Sequence, residues 1–159
     1  IGIFATTVEA EMENISTDDP YRRMLAQTLC DRLAEATAEK LHADVRKKIW
    51  GYAPDEQLSP QEMFQGRYHG IRPAVGYPSL PDQSVNFLLD KLADFKSIGI
   101  KLTESGAMQP HGSVSGLMIA HPKATYFTIG KIDDDQLADY ASRRGFDMEK
   151  ARKFLTANL

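Results

Sequence analysis

Between Leu25 and Ile49 the chain repeats an apolar or near-apolar residue every four positions: Leu25, Leu29, Leu33, Thr37, Leu41, Val45 and Ile49. That spacing predicts a single helix of nearly thirty residues, roughly 45 Å long at 1.5 Å per residue. Asp18-Asp19-Pro20 supplies its start, with an aspartate cap and a proline in the first turn, and Trp50-Gly51-Tyr52-Ala53-Pro54 its end. Residues 1 to 7 read as a short strand and 8 to 17 as a glutamate-rich polar stretch. Ser59-Pro60 opens a short helix through Phe64. Asp82 or Ser84 caps a helix carrying Val85, Leu88, Leu89, Leu92 and Phe95, which ends before Gly99. Ile100 to Thr103 reads as a strand and Glu104 to Gly112 as a loop. Ser113 to Ala120 is then a strand, with Thr125 to Ile129 as its hairpin partner across His121-Pro122-Lys123. Two helices close the chain. Asp133 and Gln136 form a capping box for the first, which Gly145 ends after Arg144, and Asp147 caps the second to about Leu155. Their packing faces are Leu137, Tyr140, Ala141, Ala151, Phe154 and Leu155. Helices mixed with short antiparallel strands make an α+β domain.

One stretch fits neither period. From Tyr68 to Pro81 the chain reads YHGIRPAVGYPSLP, with three prolines that fix φ and withhold backbone donors and two glycines that permit unusual backbone angles. It should be a rigid loop with backbone amides and carbonyls left unpaired. Arg72 places a planar charged fork among them, suited to a carboxylate or phosphate, and Tyr77 adds a flat face with a polar tip. This is the chemistry of a pocket wall for a small acidic ligand. Proline-rich loops with an arginine also occur in plain globular domains, where the arginine ties the loop to a helix end.

Composition narrows the class. At 159 residues the chain has the size of one domain, and 42% hydrophobic with 26% charged residues is ordinary for a folded protein. A net charge of −3 gives no footprint for nucleic acid. No apolar run is long enough for a membrane span, and no leader pattern opens the chain, so a cytoplasmic protein is expected. Cys30 lies among apolar residues of the long helix and reads as a buried packing residue of a reducing compartment. Ile1-Gly-Ile-Phe-Ala5 looks like an interior strand, which points to a cut inside a longer polypeptide.

Several chemistries have no matching pattern. The histidines at 42, 69, 111 and 121 show no ligand spacing for a metal site, and His42, beside Lys47 and Lys48, reads as a surface residue. There is no Gly-x-Ser-x-Gly elbow, no phosphate loop and no Gly-x-Gly-x-x-Gly after a strand. The fold is therefore not the Rossmann type used by common methyltransferases.

Gly70-Ile-Arg-Pro-Ala-Val-Gly-Tyr-Pro-Ser-Leu-Pro-Asp82 resembles the Arg-Pro-Ala-x-Gly-Tyr-Pro signature of the C-terminal reactivation domain of cobalamin-dependent methionine synthase, which binds S-adenosylmethionine. Asp31 to His42, Lys101 to Ser105 and Ser113 to Gly116 resemble the same domain, in the family's order, and the likeness runs from Ile1 to the C-terminus. It implies a curved, mostly antiparallel sheet flanked by helices, with residues 1 to 159 as the C-terminal part of a domain whose first half is absent. One departure stands after Pro81-Asp82: where the family has a histidine and a downstream lysine, Gln83 and Asn86 stand nearby.

The implied task is repair of a stalled cobalamin. The chain binds S-adenosylmethionine, and flavodoxin or an equivalent reductase supplies an electron to cob(II)alamin on a neighbouring cobalamin-binding module. The methyl group then passes to the reduced cobalt. Neither a metal bound by this chain nor a catalytic side chain is required, because the sulfonium is a good leaving group and positioning does the work. By resemblance Arg72 clamps the ligand carboxylate, Glu35 and Tyr126 make polar contacts, and the backbone of Pro73, Ala74, Val75 and Gly76 holds the adenosyl end. Tyr77 stands between ligand and corrin, and Asp31 meets the cobalamin module. Read from the residues alone, Asp31 and Glu35 are also compatible with a solvated acidic face paired with Arg32 or Lys40, and Tyr126 with a core aromatic. One ligand-contacting aspartate is expected in the missing half, so that binding by this chain alone would be weak. The other readings are a stand-alone corrinoid-protein reactivation module and a non-catalytic interaction domain that has lost the ligand.

Overall fold

The computed structural model describes residues 1–15 and 18–159; of the glutamate-rich stretch expected over 8 to 17, Ser16 and Thr17 lie outside the described residues. Strand β1 (Gly2–Thr7) is followed by a single helical turn, α1 (Ala10–Glu13). Asp19 then starts the long helix α2 (Pro20–Asp44), its carboxylate accepting the Tyr21 N–H at 2.9 Å. A π-helical turn, Val45–Ile49, continues α2 to Trp50.

The face that α2 buries is not the predicted leucine stripe. Cys30, Ala34, Ala38, His42 and Val45 point inward, while Leu25, Leu29, Leu33 and Ile49 are exposed. The buried row Cys30, Ala34, Ala38 and His42 has the same four-residue spacing as the leucine row but lies one residue, about 100°, around the helix from it, so spacing alone does not choose between the two faces. Its first three side chains, Cys30, Ala34 and Ala38, are small, which lets α2 lie close on the sheet. His42, expected at the surface, is fully buried in that row.

The sheet is centred on β4 (Ser113–Met118). One edge pairs antiparallel with β1, from Gly2 opposite Met118 to Thr7 opposite Ser113. The other edge is taken by the proline-rich stretch. The Ile71 N–H donates to Ile119 O at 3.0 Å and Ile119 N–H returns to Ile71 O at 2.9 Å; Leu117 N–H donates to Pro73 O at 3.0 Å and Val75 N–H to Ser115 O at 2.9 Å. These backbone groups are therefore paired, contrary to the expectation of a free loop. Pro73 sits where only its carbonyl is needed, as prolines do on edge strands.

That pairing also explains why Thr125 to Ile129 is not a strand. Both edges of β4 are occupied, and 125–129 runs as irregular chain with the Ile129 N–H on Pro78 O at 3.1 Å. Alternation along the sheet sorts its two faces. Phe4, Val114 and Met118 pack under α2 with Cys30, Ala34 and Ala38. Ile3, Ala5 and Leu117 pack on the other side against Val75, Leu89, Phe95 and Ile100.

After α3 (Pro60–Phe64), whose start is a Ser59/Glu62 capping box, Asp82 begins a short 3-10 turn that runs into α4 (Asn86–Ala93). The left-handed Asp94 (φ 45°) breaks the predicted continuous helix before a second 3-10 turn, Phe95–Ile98. Only Leu89 and Phe95 of the predicted stripe are buried; Leu88 and Leu92 are exposed. Strands β2 (Lys101–Leu102) and β3 (Met108–Gln109) form a small antiparallel pair, so the 104–112 loop contains a strand. The closing helices α5 (Asp134–Arg144) and α6 (Met148–Phe154) start at Asp133 and Asp147 as expected and bury Leu137, Ala141, Ala151 and Leu155 between them. Among the described residues no helix is long and apolar enough to cross a membrane.

Candidate functional site

The α2 row one residue beyond the buried alanines is acidic: Asp31, Glu35 and Glu39 follow Cys30, Ala34 and Ala38. Because the small row holds α2 close to the sheet, these carboxylates overhang the edge formed by residues 71–75. Arg72, on that edge, turns its side chain up to them. Its Nη2 lies 3.2 Å from Glu39 Oε2 and its Nη1 3.9 Å from Glu35 Oε2, with the guanidinium 5.8 Å above the Phe4 ring. The Arg72 side chain is 11% exposed. Its Nε and the Glu39 Oε1 are buried with no hydrogen-bond partner among the described residues. One guanidinium between two carboxylates is an unsaturated arrangement of alternating charge, open to an incoming group that carries both signs.

A groove of about 370 Å³ opens beside this cluster. Arg72, Pro73, Ala74 and Tyr77 form one wall and Glu35 the rim, and Tyr126 with Phe127 and Thr128 closes the far side. Gly76 takes φ 89°, a conformation other residues rarely adopt, and this turns the chain so that Tyr77 swings out over the groove. The Tyr77 hydroxyl donates to Glu35 Oε1 at 3.1 Å, and burial, followed by the Glu35 charge, raises its pKa. Tyr126 reaches back under the loop: its Oη accepts the Arg72 backbone N–H at 2.8 Å and lies 3.3 Å from Tyr68 Oη.

Six of the residues singled out in the sequence thus meet at one groove. Val75 and Gly76 do not line it. Val75 is buried in the core beneath, its N–H held by Ser115, and the Gly76 N–H bonds Leu80 O at 2.9 Å. Asp31 stands one turn along α2, over a neighbouring cleft of about 290 Å³ that shares Glu35 and Tyr77, with His111 Nδ1 at 3.4 Å. The two departures differ in setting. Gln83 is exposed, whereas Asn86 is buried, donating to Gly106 O at 2.9 Å and accepting from Ser115 Oγ at 2.5 Å.

Glu39 and Tyr68 were not anticipated. Glu39 has a legible signal, since it continues the i, i+4 row from Asp31 and Glu35 and so shares their face. Tyr68 has none, because its place depends on the fold of the whole loop.

The sequence profile of the family described as vitamin B12 dependent methionine synthase, activation domain, matches residues 1–145. The chain belongs to that activation-domain family. A solved structure described as the crystal structure of the MetH reactivation domain bound to AdoHcy is 44% identical, with a TM-score of 0.83. The likeness covers 89% of this chain and 44% of that one, so the activation-domain chain described here spans less than half the length of its solved relative. The fold expected from the Arg-Pro-Ala-x-Gly-Tyr-Pro stretch is the fold observed: antiparallel strands flanked by helices, with the long α2 near the N-terminus.

Proposed function

We propose that this chain binds S-adenosylmethionine in the Arg72 groove and presents its methyl group for the reductive reactivation of cobalamin-dependent methionine synthase, a methyltransferase of the cytoplasm. In that reaction the sulfonium methyl passes to the reduced cobalt of cobalamin, which a neighbouring module carries and flavodoxin or another reductase has recharged with one electron, leaving S-adenosylhomocysteine and methylcobalamin. In this reading the chain supplies the C-terminal part of a larger reactivation domain, in keeping with its share of the solved relative.

The observation that carries the reading is the Arg72 cluster at the groove, on a chain 44% identical to a domain solved with AdoHcy. The ligand's amino-acid end bears a carboxylate and an ammonium. Arg72 offers the first a two-pronged donor, and Glu35 and Glu39 offer the second two carboxylates. The 3.9 Å contact to Glu35 is the looser of the two, so Nη1 is the prong that a ligand carboxylate takes over. A groove of about 370 Å³ lies in the range of clefts that hold small ligands. Tyr77, between this groove and the Asp31 cleft, sits where the methyl group would meet the corrin, and Asp31 faces the cobalamin module. Pro73 and Ala74 line the adenosyl side, and Val75 and Gly76 support them from beneath.

No side chain needs to move a proton, because C–S cleavage leaves a neutral thioether. What the chain contributes is orientation and exclusion of competing geometry. The test is to mix the chain with a reduced cobalamin-carrying module and S-adenosylmethionine and follow methylcobalamin by absorbance. Methylation that requires the chain and is lost with Arg72→Ala supports the reading. Methylation at the same rate without the chain overturns it.

A further inference from the structure

A fully buried arginine and a fully buried, unpartnered histidine lie behind the groove, and both press on one ring. Arg46, within the π-helical turn after α2, is 0% exposed and is held by Glu56, its Nε 3.0 and 2.9 Å from the two carboxylate oxygens and its Nη2 2.8 Å from Oε2. Its guanidinium stacks 4.5 Å from the centre of the Tyr68 ring. His42, whose two nitrogens have no partner among the described residues, meets the same ring edge-on at 5.0 Å. Both contacts hold the Tyr68 ring, and its hydroxyl lies 3.3 Å from Tyr126 Oη.

Only one of these hydroxyls can donate to the other, and the surroundings decide which. Tyr126 Oη already accepts the Arg72 N–H and has a second lone pair to offer. If Tyr126 donated to Tyr68, the Tyr68 proton would need another acceptor in a half-buried position. With the opposite polarity the Tyr68 proton is satisfied, and the proton left over belongs to Tyr126, which is about half exposed (49%) on the groove wall. Tyr68 is the more buried of the two, so an unmet donor costs more there than on the half-exposed Tyr126.

We infer that Tyr68 is a positioning residue that donates its hydroxyl proton to Tyr126, so that Tyr126 presents its own proton to the groove and selects a ligand oxygen acceptor there. The inference rests on the groove being the S-adenosylmethionine site. Acting through Tyr126, Tyr68 also steadies the Arg72 backbone, which ties the Arg46, Glu56 and His42 cluster to the ligand loop. Tyr68 does not line that groove.

Tyr68→Phe keeps the ring packed against Arg46 and His42 and removes only the hydroxyl. With the 159-residue chain and AdoHcy as probe, calorimetry of the wild type, Tyr68→Phe, Tyr126→Phe and the double variant forms a cycle. Tyr68→Phe is expected to weaken binding about threefold to tenfold, with an unchanged melting temperature. The double variant is expected to bind no more weakly than Tyr126→Phe alone. Undiminished affinity in Tyr68→Phe, or losses that multiply in the double variant, would overturn the inference. A ligand-free arm separates its failure from failure of the site reading: amide exchange at Arg72 is expected to quicken about tenfold in Tyr68→Phe through loss of the hydrogen-bond chain. If wild type binds no AdoHcy even in a form extended upstream of Ile1, the site reading fails and this arm alone decides; unchanged Arg72 exchange would refute the role of Tyr68.

Discussion

Gly116 of β4 and Pro73 of the proline-rich loop meet backbone to backbone: a Cβ placed on Gly116 would fall well inside van der Waals contact of the Pro73 carbonyl oxygen and 2.9 Å from Ala74 Cα. The loop that carries Arg72 is therefore seated directly on the central strand, and Gly116 is the residue that permits it. Gly116→Ala must push residues 73 and 74 outward or strain β4. It is expected to cost about 1 to 3 kcal/mol in urea unfolding and to weaken AdoHcy binding as well. A variant with wild-type stability and affinity would show that the seating does not matter.

The acidic row of α2 gives a second prediction. Glu35→Gln keeps the shape of the side chain but removes the charge proposed to face the ligand ammonium. AdoHcy binding should weaken by roughly 1 kcal/mol or more, and the loss should shrink as salt is raised. Glu39→Gln takes the close ionic partner from Arg72, whose Nη2 is 3.2 Å away, and is expected to weaken binding through the altered fork. Calorimetry at two ionic strengths measures both.

His42 gives a pH dependence. Burial, then the charges of Arg46 and Arg72, lowers its pKa from 6.5 to about 3. Between those values the unfolded chain carries a proton on His42 that the folded chain does not. Stability therefore falls as the pH drops from 6.5 toward 3, by up to about 1.4 kcal/mol per pH unit from this residue. Urea unfolding from pH 7 to pH 5 should show a shallower slope for His42→Leu than for wild type; parallel slopes would contradict the assignment.

The closing helices are latched to the end of the proline-rich loop through Asp82, which is 3% exposed. The Tyr140 hydroxyl donates to its Oδ2, Arg144 Nε lies 3.6 Å from the same oxygen, and Arg144 Nη2 donates to Ser84 Oγ at 2.7 Å. Asp82→Asn would leave the mostly buried Arg144 without its counter-charge, at a cost of about 3 to 5 kcal/mol. Exchange protection in α5 should fall more than in α2. Uniform loss across the chain would argue against a local latch.

How much of this was legible in the sequence follows from which signals are local. The caps at Asp19, Ser59, Asp133 and Asp147 act within one turn, and all four helices start where those residues indicate. The buried face of α2 was misread because Leu25, Leu29 and Leu33 are the larger apolar residues, whereas close packing on the sheet selected Cys30, Ala34 and Ala38. The partner of β4 was misassigned because adjacency favoured 125–129, whereas β4 spends its edges on β1 and on residues 71–75, contacts distant in sequence. The Arg-Pro-Ala-x-Gly-Tyr-Pro motif pointed to the groove directly. Arg46 and Tyr68 gave no warning, since an arginine among lysines and a tyrosine before a loop look like surface residues until the fold encloses them.

The central claim is that Arg72 holds a ligand with the chemistry of S-adenosylmethionine. Isothermal titration of S-adenosylmethionine into the chain, with Arg72→Ala beside it, tests this most directly. The account predicts a dissociation constant on the order of micromolar, weakened by about 1.5 to 3 kcal/mol in the variant through loss of a charged hydrogen-bond pair. Equal affinity in the variant would contradict it, as would no heat of binding both with this chain and with a form extended upstream of Ile1.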